Sequence, residues 1–239
     1  MNFAVILFAA LRALFQDPDW WKKILIGGLL TPIPVCLIVF GGLPQLVGIP
    51  LVVVANFVIW GYTYRVFIDA LNGPRELLLA SWTDWRAYFR VGFWIFLITL
   101  GYVVLAAFGI VAAISLIEGG VSSDLQSMTL IVLGSVALFN TISPIVFTRF
   151  AEEGRVWACF EPDAIWRDAR RVVRLDYVQL CFLFYCLWTM CLIVLGGLPQ
   201  LVGIPLVSVS QFLLTLVFSH VFGTLIGLRK QPDLPVQDE

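Results

Sequence analysis

Charge is scarce in this chain. Of 239 residues only 13% are Asp, Glu, Lys or Arg, about half of the roughly 25% found in an average soluble domain. That is too little to coat a globule of this size. Hydrophobic residues make up 60%, and the mean hydropathy is +0.94, so the composition reads lipid as the solvent. The net charge of −1 leaves no basic surface for a nucleic-acid partner. There is one histidine, His220, and most histidine-based mechanisms need a second partner. The sequence holds no G-x-S-x-G, no H-E-x-x-H, no Walker lysine loop and no G-x-G-x-x-G. No catalytic residue and no cofactor is expected, and an enzyme is not. The cysteines Cys36, Cys159, Cys181, Cys186 and Cys191 form no C-x-x-C pair and no Cys/His ligand spacing. They read as small apolar packing residues, with no metal site.

What is present is long uncharged runs. Residues 24–64, 91–117, 125–148 and 177–228 carry no Lys, Arg, Asp or Glu. A span needs about 20 residues to cross roughly 30 Å of hydrocarbon. The first and last runs are each long enough for two spans, and the middle two for one. The expected fold is therefore all-α: a polytopic membrane protein with six transmembrane helices arranged as three hairpins, plus amphipathic helices on the cytoplasmic leaflet. Residues 1–230 form one transmembrane domain, with spans at about 20–40, 49–66, 91–117, 125–148, 177–195 and 205–228. Residues 231–239 form a flexible polar tail. Residues 3–15 are apolar but too short to span. They read as a retained interfacial helix.

Between the spans, local signals mark helix starts and surfaces. Asp17-Pro18 is a good cap and first position, followed by Trp20, Trp21, Lys22 and Lys23 at the interface. Ser81-Trp82-Thr83-Asp84 matches a capping box. Residues 162–174 read as an amphipathic helix with Ile165, Trp166, Ala169, Val172 and Val173 on its apolar face.

All 15 Lys and Arg, at 12, 22, 23, 65, 75, 86, 90, 149, 155, 167, 170, 171, 174, 229 and 230, fall on one side of this six-span arrangement. The loops at 41–48, 118–124 and 196–204 hold none. The positive-inside rule then puts both termini in the cytoplasm of a cell with the chain in its inner (plasma) membrane.

One stretch occurs twice. Residues 36–52 and 191–207 differ only at Phe40 against Leu195. Each copy contains G-G-L-P-Q-L-V-G-I-P, and the charge partition makes each the far-side tip of a hairpin. Because the two hairpins enter in the same direction, the duplication is parallel rather than inverted. The tips are expected to be neighbours, with hairpins one and three packed together.

Several stretches carry a resemblance: D17-P-D-W-W-K-K-I-L-I-G-G-L-L, W60-G-Y-T-Y-R-V, W82-T-D-W-R-A-Y-F-R-V-G, S143-P-I-V-F-T-R-F-A-E-E-G-R-V-W-A-C-F with D176-Y, and S219-H-V-F-G. In this order they resemble an uncharacterised prokaryotic membrane-protein family, domain of unknown function 4013. The resemblance implies a polytopic membrane fold and carries no activity with it.

The candidate intramembrane polar positions are Asn56, Gln211, Asn140 and His220. Asn56 and Gln211 are equivalent in the two copies. They could line a pathway or bond between hairpins. Asn140, Thr141 and Ser143 precede Pro144 and could satisfy backbone groups that the proline frees. Arg167, Arg170, Arg171 and Arg174 are candidate lipid-headgroup contacts. The partners expected are the lipid bilayer and other membrane proteins or a second copy, met through the hairpin tips. The functional expectation is a non-enzymatic scaffold, assembly or accessory subunit of a membrane complex. The alternative is a small-molecule or lipid permease or lipid-handling protein.

Overall fold

The structure, a computed structural model, describes residues 3–39, 41–73, 79–118 and 125–230. Most of the expected 118–124 loop and the whole 231–239 tail lie outside the described residues. Within them the chain is helical, with no strand. Lipid offers no hydrogen bonds, so a backbone that crosses it pairs with itself, and a helix does this within one segment. The order is α1 (Phe3–Gln16), α2 (Trp20–Leu30), α3 (Pro32–Val39), α4 (Gly42–Leu71), α5 (Trp85–Glu118), α6 (Leu125–Glu153), a 3-10 helix (Val156–Phe160), α7 (Pro162–Val172), α8 (Leu175–Gly196) and α9 (Gln200–Lys230).

Five stretches are long and apolar enough to cross a membrane: Trp20–Ile38, Gly42–Leu71, Trp85–Ser115, Leu175–Gly196 and Val202–Lys230. The fourth expected span, 125–148, falls on α6, which is helical but is not among these five. The first crosses a break at Thr31–Pro32 that divides α2 from α3, where Pro32 and Pro34 remove two backbone donors.

The chain divides into two compact units, residues 1–93 with 170–239, and residues 94–169. In the first, α9 is the central helix and packs against α1, α2, α3, α4 and α8. Small residues allow these approaches. A Cβ at Gly27 would overlap the Phe212 ring, and one at Gly28 would lie 2.6 Å from Val209 Cα. Gly223 meets the Phe67 carbonyl and Gly227 the Leu71 carbonyl. By the repeat register, the counterpart of Phe67 is Phe222 and that of Leu71 is Ile226. Copy-equivalent residues thus lie side by side, and α4 and α9 run parallel with at most one residue of stagger. Both helices therefore start at the same end.

The equivalence stops at their neighbours. Phe57 of α4 packs edge-on against Phe89 and Phe93 of α5. Its counterpart Phe212 covers Gly27 of α2.

The tips differ as well, and they correct the sequence reading. Copy 1 turns at Gly41 and Gly42, both with positive φ (69° and 61°), and α4 begins at Gly42 rather than near Ile49. In copy 2 the helix continues through Gly196. Gly197, at φ −73°, is its C-cap, and α9 restarts at Gln200 rather than at 205. Pro44 falls in the first turn of α4, where no N–H is needed. Gly48 and Gly203 sit inside helices. Gly48 is needed because a Cβ there would lie 2.8 Å from Ile38 and 2.9 Å from the Pro34 carbonyl. The residues before the copies differ more than the copies do. Leu187 and Thr189 stand where copy 1 has Pro32 and Pro34, so a continuous helix reaches tip 2 and an eight-residue helix reaches tip 1.

In the second unit the 3-10 helix folds in against α5 and α6. Cys159 is buried with Ile98 and Val146, flanked by Tyr102, Phe147, Phe150 and Phe160. Tyr102 stacks on Phe160 at 5.2 Å and its hydroxyl donates to the Cys159 carbonyl. Burial pushes the Cys159 thiol up to about 11, and the Arg149 charge offsets part of that rise.

The tightest helix approach in the first unit supplies a test. A Cβ at Gly92 would overlap the Phe57 carbonyl, and one at Gly61 would overlap the Tyr88 carbonyl, so backbone rather than a mobile side chain would have to give. Gly109 of the same α5 has nothing within 4 Å. Gly92→Ala should lower stability by about 3 kcal/mol, the upper part of the overpacking range. Gly109→Ala should be neutral or gain up to about 1 kcal/mol. Thermal midpoints of the two variants in detergent check this, and equal midpoints would refute the packing account.

Candidate functional site

Asn56, Thr99, Ser135, Ser143 and Thr215 are satisfied by carbonyls of their own helices, whereas the Tyr102 hydroxyl reaches out of α5 to the Cys159 carbonyl. Asn56 Nδ2 donates to the Val52 carbonyl of its own helix (2.8 Å). No hydrogen bond among the described residues joins it to Gln211, whose carbonyl accepts from Thr215 (2.8 Å). Thr99 and Ser135 bond back to Ile95 and Ile131 in the same way. Pro144 lacks the N–H that would serve the Asn140 carbonyl, and the Ser143 hydroxyl supplies that donor (3.1 Å). The Asn140 side chain is exposed. His220 is buried on the face of α9 that also carries Leu216, Val217 and Thr224. These positions are not gathered into one site by any bond among the described residues.

The groups that do converge lie mostly near helix ends; the sequence reading named Asp17, Lys23 and Trp82 only as cap and interface signals and not as partners of one another. Asp17 is 5% exposed. It accepts the Asp19 N–H (2.9 Å) and the Lys23 ammonium (2.7 Å). The helix consequently begins at Trp20, two residues later than the Pro18 expectation. Lys23 also donates to the Leu79 carbonyl (2.7 Å). Tyr62 of α4 donates to the Ala80 carbonyl, and Tyr88 of α5 to the Ser81 carbonyl, both at 2.8 Å. Three successive carbonyls of the segment before α5 are thus each held by a donor from a different helix. Trp82 closes the arrangement. Its indole donates to the Lys23 carbonyl (3.0 Å) and stacks on Tyr62 at 4.0 Å and 7°. The capping assignment shifts accordingly. Asp84 itself is the cap, taking the Ala87 N–H at 3.3 Å, while Ser81 pairs with Thr83.

A second clasp lies in the other unit. Arg149 retains 17% side-chain exposure and faces Glu153 (3.6 Å), Glu161 (3.6 Å) and Asp168 (3.8 Å). Asp168 is drawn inward, so the buried residues of α7 are Ala164, Asp168 and Val172. Of the expected apolar face, Val172 is buried within the chain and Ile165 and Ala169 are half-buried. Trp166 (61% exposed) and, just after α7, Val173 (43%) are exposed on the chain. A third clasp joins Arg229 at the end of α9 to Asp176 (3.2 Å) and to the Val172 carbonyl. Arg167, Arg170, Arg171 and Arg174 are all exposed.

Chemically, these clasps fix helix ends. Among the described residues no group of three or more His, Cys, Asp or Glu gathers as metal ligands. The sequence signal that could have found the clasps was the resemblance. Asp17 and Lys23, Tyr62, Trp82 and Tyr88, Arg149 and Asp176 all fall in the stretches that carry it.

Apolar helices long enough to cross a bilayer, tied at their polar ends, define a multi-pass helical membrane protein. The chain belongs to the family described as "Protein of unknown function (DUF4013)", whose sequence model matches residues 43–208. No curated protein and no solved structure matches it.

The first clasp predicts a pH dependence. Burial would raise the Asp17 carboxyl, but the Lys23 ammonium and the Asp19 N–H outweigh burial and hold it below its ordinary value. A depressed folded value gives stability that is full above the unfolded value of about 4 and lost as pH falls through and below it. Lys23→Met should cost about 2–3 kcal/mol at neutral pH. This is less than the roughly 3–5 for a fully buried pair, because Lys23 keeps 21% side-chain exposure. Asp17→Asn should be less stable at pH 7 and lose part of the acid-side slope. Thermal midpoints across pH check both, and an unchanged slope in Asp17→Asn refutes the assignment.

Proposed function

We propose that the protein is a non-enzymatic scaffold, assembly or accessory subunit of a complex in the inner (plasma) membrane. It crosses the bilayer six times, with α6 as the fourth span, both termini cytoplasmic and the two repeat tips on the far side. The observation that carries this reading is the unspent apolar surface. The best apolar windows of α5 and α8 are each only 11% buried within the chain, against 28% for α9. Helices that bury so little against their own chain offer faces to lipid and to other membrane helices, while the ionic groups described above go into holding the chain together. Exposed Phe108 and Leu105 on α5, and Ile193, Val194 and Phe182 on α8, line those faces.

A permease or lipid-handling role finds support in the Thr31–Pro32 break. The Asn56 amide, bonded to its own helix, adds none.

Two experiments test the reading. Purified gently from its native membrane, the protein should run in a complex of defined mass, homo- or hetero-oligomeric. A sharp monomer with no co-purifying subunit counts against the scaffold role. In a cysteine-free background, Gln45→Cys and Gln200→Cys should react with an impermeant maleimide from outside intact cells, and Arg86→Cys only after permeabilisation. Any other pattern overturns the orientation.

A further inference from the structure

The corner where α7 ends and α8 begins gathers charge at a defined depth. Residues 170–178 read R-R-V-V-R-L-D-Y-V, and α9 ends in Arg229-Lys230. Arg229 brings the end of α9 to this corner through Asp176 and the Val172 carbonyl. That contact neutralises the corner's one carboxylate and ties down its backbone. Arg170, Arg171 and Arg174 remain exposed, and Arg171 and Arg174 have no ion-pair partner among the described residues. Val173, between these arginines, and Leu175 and Val178, just after them, are exposed.

The depth follows from the helices. The apolar stretch of α8 starts at Leu175 and that of α9 ends at Lys230, so the corner sits where hydrocarbon gives way to headgroups. Arginine there can lay its stem on apolar surface and keep its guanidinium among phosphates.

We propose that this corner is a binding surface for anionic phospholipid headgroups. The proposal rests on the membrane-spanning reading above. Val173, Leu175 and Val178 enter the acyl boundary, and Arg170, Arg171 and Arg174 meet headgroup phosphates. The occupant is a lipid rather than a soluble anion because apolar and basic groups alternate along the corner, matching a ligand with both characters. Basic clusters of this size beside a membrane helix are the general form of such sites, each charge giving roughly a five-fold preference for an anionic surface.

The test uses the full chain, purified in detergent. Native mass spectrometry with equal phosphatidylglycerol and phosphatidylcholine reads the ratio of the two lipids retained. The wild type should retain phosphatidylglycerol preferentially. R170Q/R171Q/R174Q should lose at least ten-fold of that preference, and R86Q/R90Q, elsewhere among the basic residues, should keep it. R170K/R171K/R174K, which conserves charge, should retain most of it and keeps the test valid if the neutral variant does not fold. Excess inorganic phosphate should leave the ratio unchanged. An unaltered ratio in the triple glutamine variant, an equal loss in R86Q/R90Q, or displacement by phosphate each overturns the proposal. Failure of the chain to insert into membranes at all would instead defeat the spanning reading, so the two failures are distinguishable.

Discussion

Hydrocarbon cannot donate or accept a hydrogen bond, and that constraint orders this structure from its backbone outward. It selects helices. It turns Asn56, Thr99, Ser135, Ser143 and Thr215 back onto their own helices. Longer-range polar contacts are made by Lys23, Tyr88, Arg149 and Arg229 near helix ends and by Tyr62 and Tyr102 from within α4 and α5, each reaching another segment. Within the spans the helices also associate by close packing. This is why glycine rather than leucine stands at Gly61, Gly92, Gly223 and Gly227.

The two clasps of the first unit have different economies. At the Asp17 end, a charged pair and three aromatic side chains order a segment with no regular structure, so that three carbonyls which a helix would have satisfied are satisfied by neighbours instead. At the Arg229 end, one guanidinium serves a carbonyl and a carboxylate and joins two helix ends directly. The first arrangement depends on shape, through the stacked Tyr62 and Trp82 rings. The second depends on charge.

Much of the architecture could be read from the sequence, for definite reasons. Uncharged runs locate apolar helices because desolvating a charge is so costly that evolution leaves a clear gap. Glycine and proline were less informative. They mark both turns and close contacts, so Gly48 looked like part of a tip and proved to be a packing position. Asp168 and its partner Arg149 are nineteen positions apart, and such a pairing leaves no local pattern. Tyr62 and Trp82 lie twenty positions apart, and only the fold stacks them. Local chemistry predicts what a residue can do alone, whereas the clasps are properties of pairs.

The duplicated stretch shows the reverse limit. Two nearly identical strings of residues occupy one chain, and one turns through left-handed glycines while the other carries its helix through the same glycine. Sequence therefore gives these residues no address. An antibody fragment raised against the linear peptide would count two epitopes on each molecule. One raised against the left-handed turn at Gly41–Gly42 would count a single epitope, and its binding would report the shape of that tip alone.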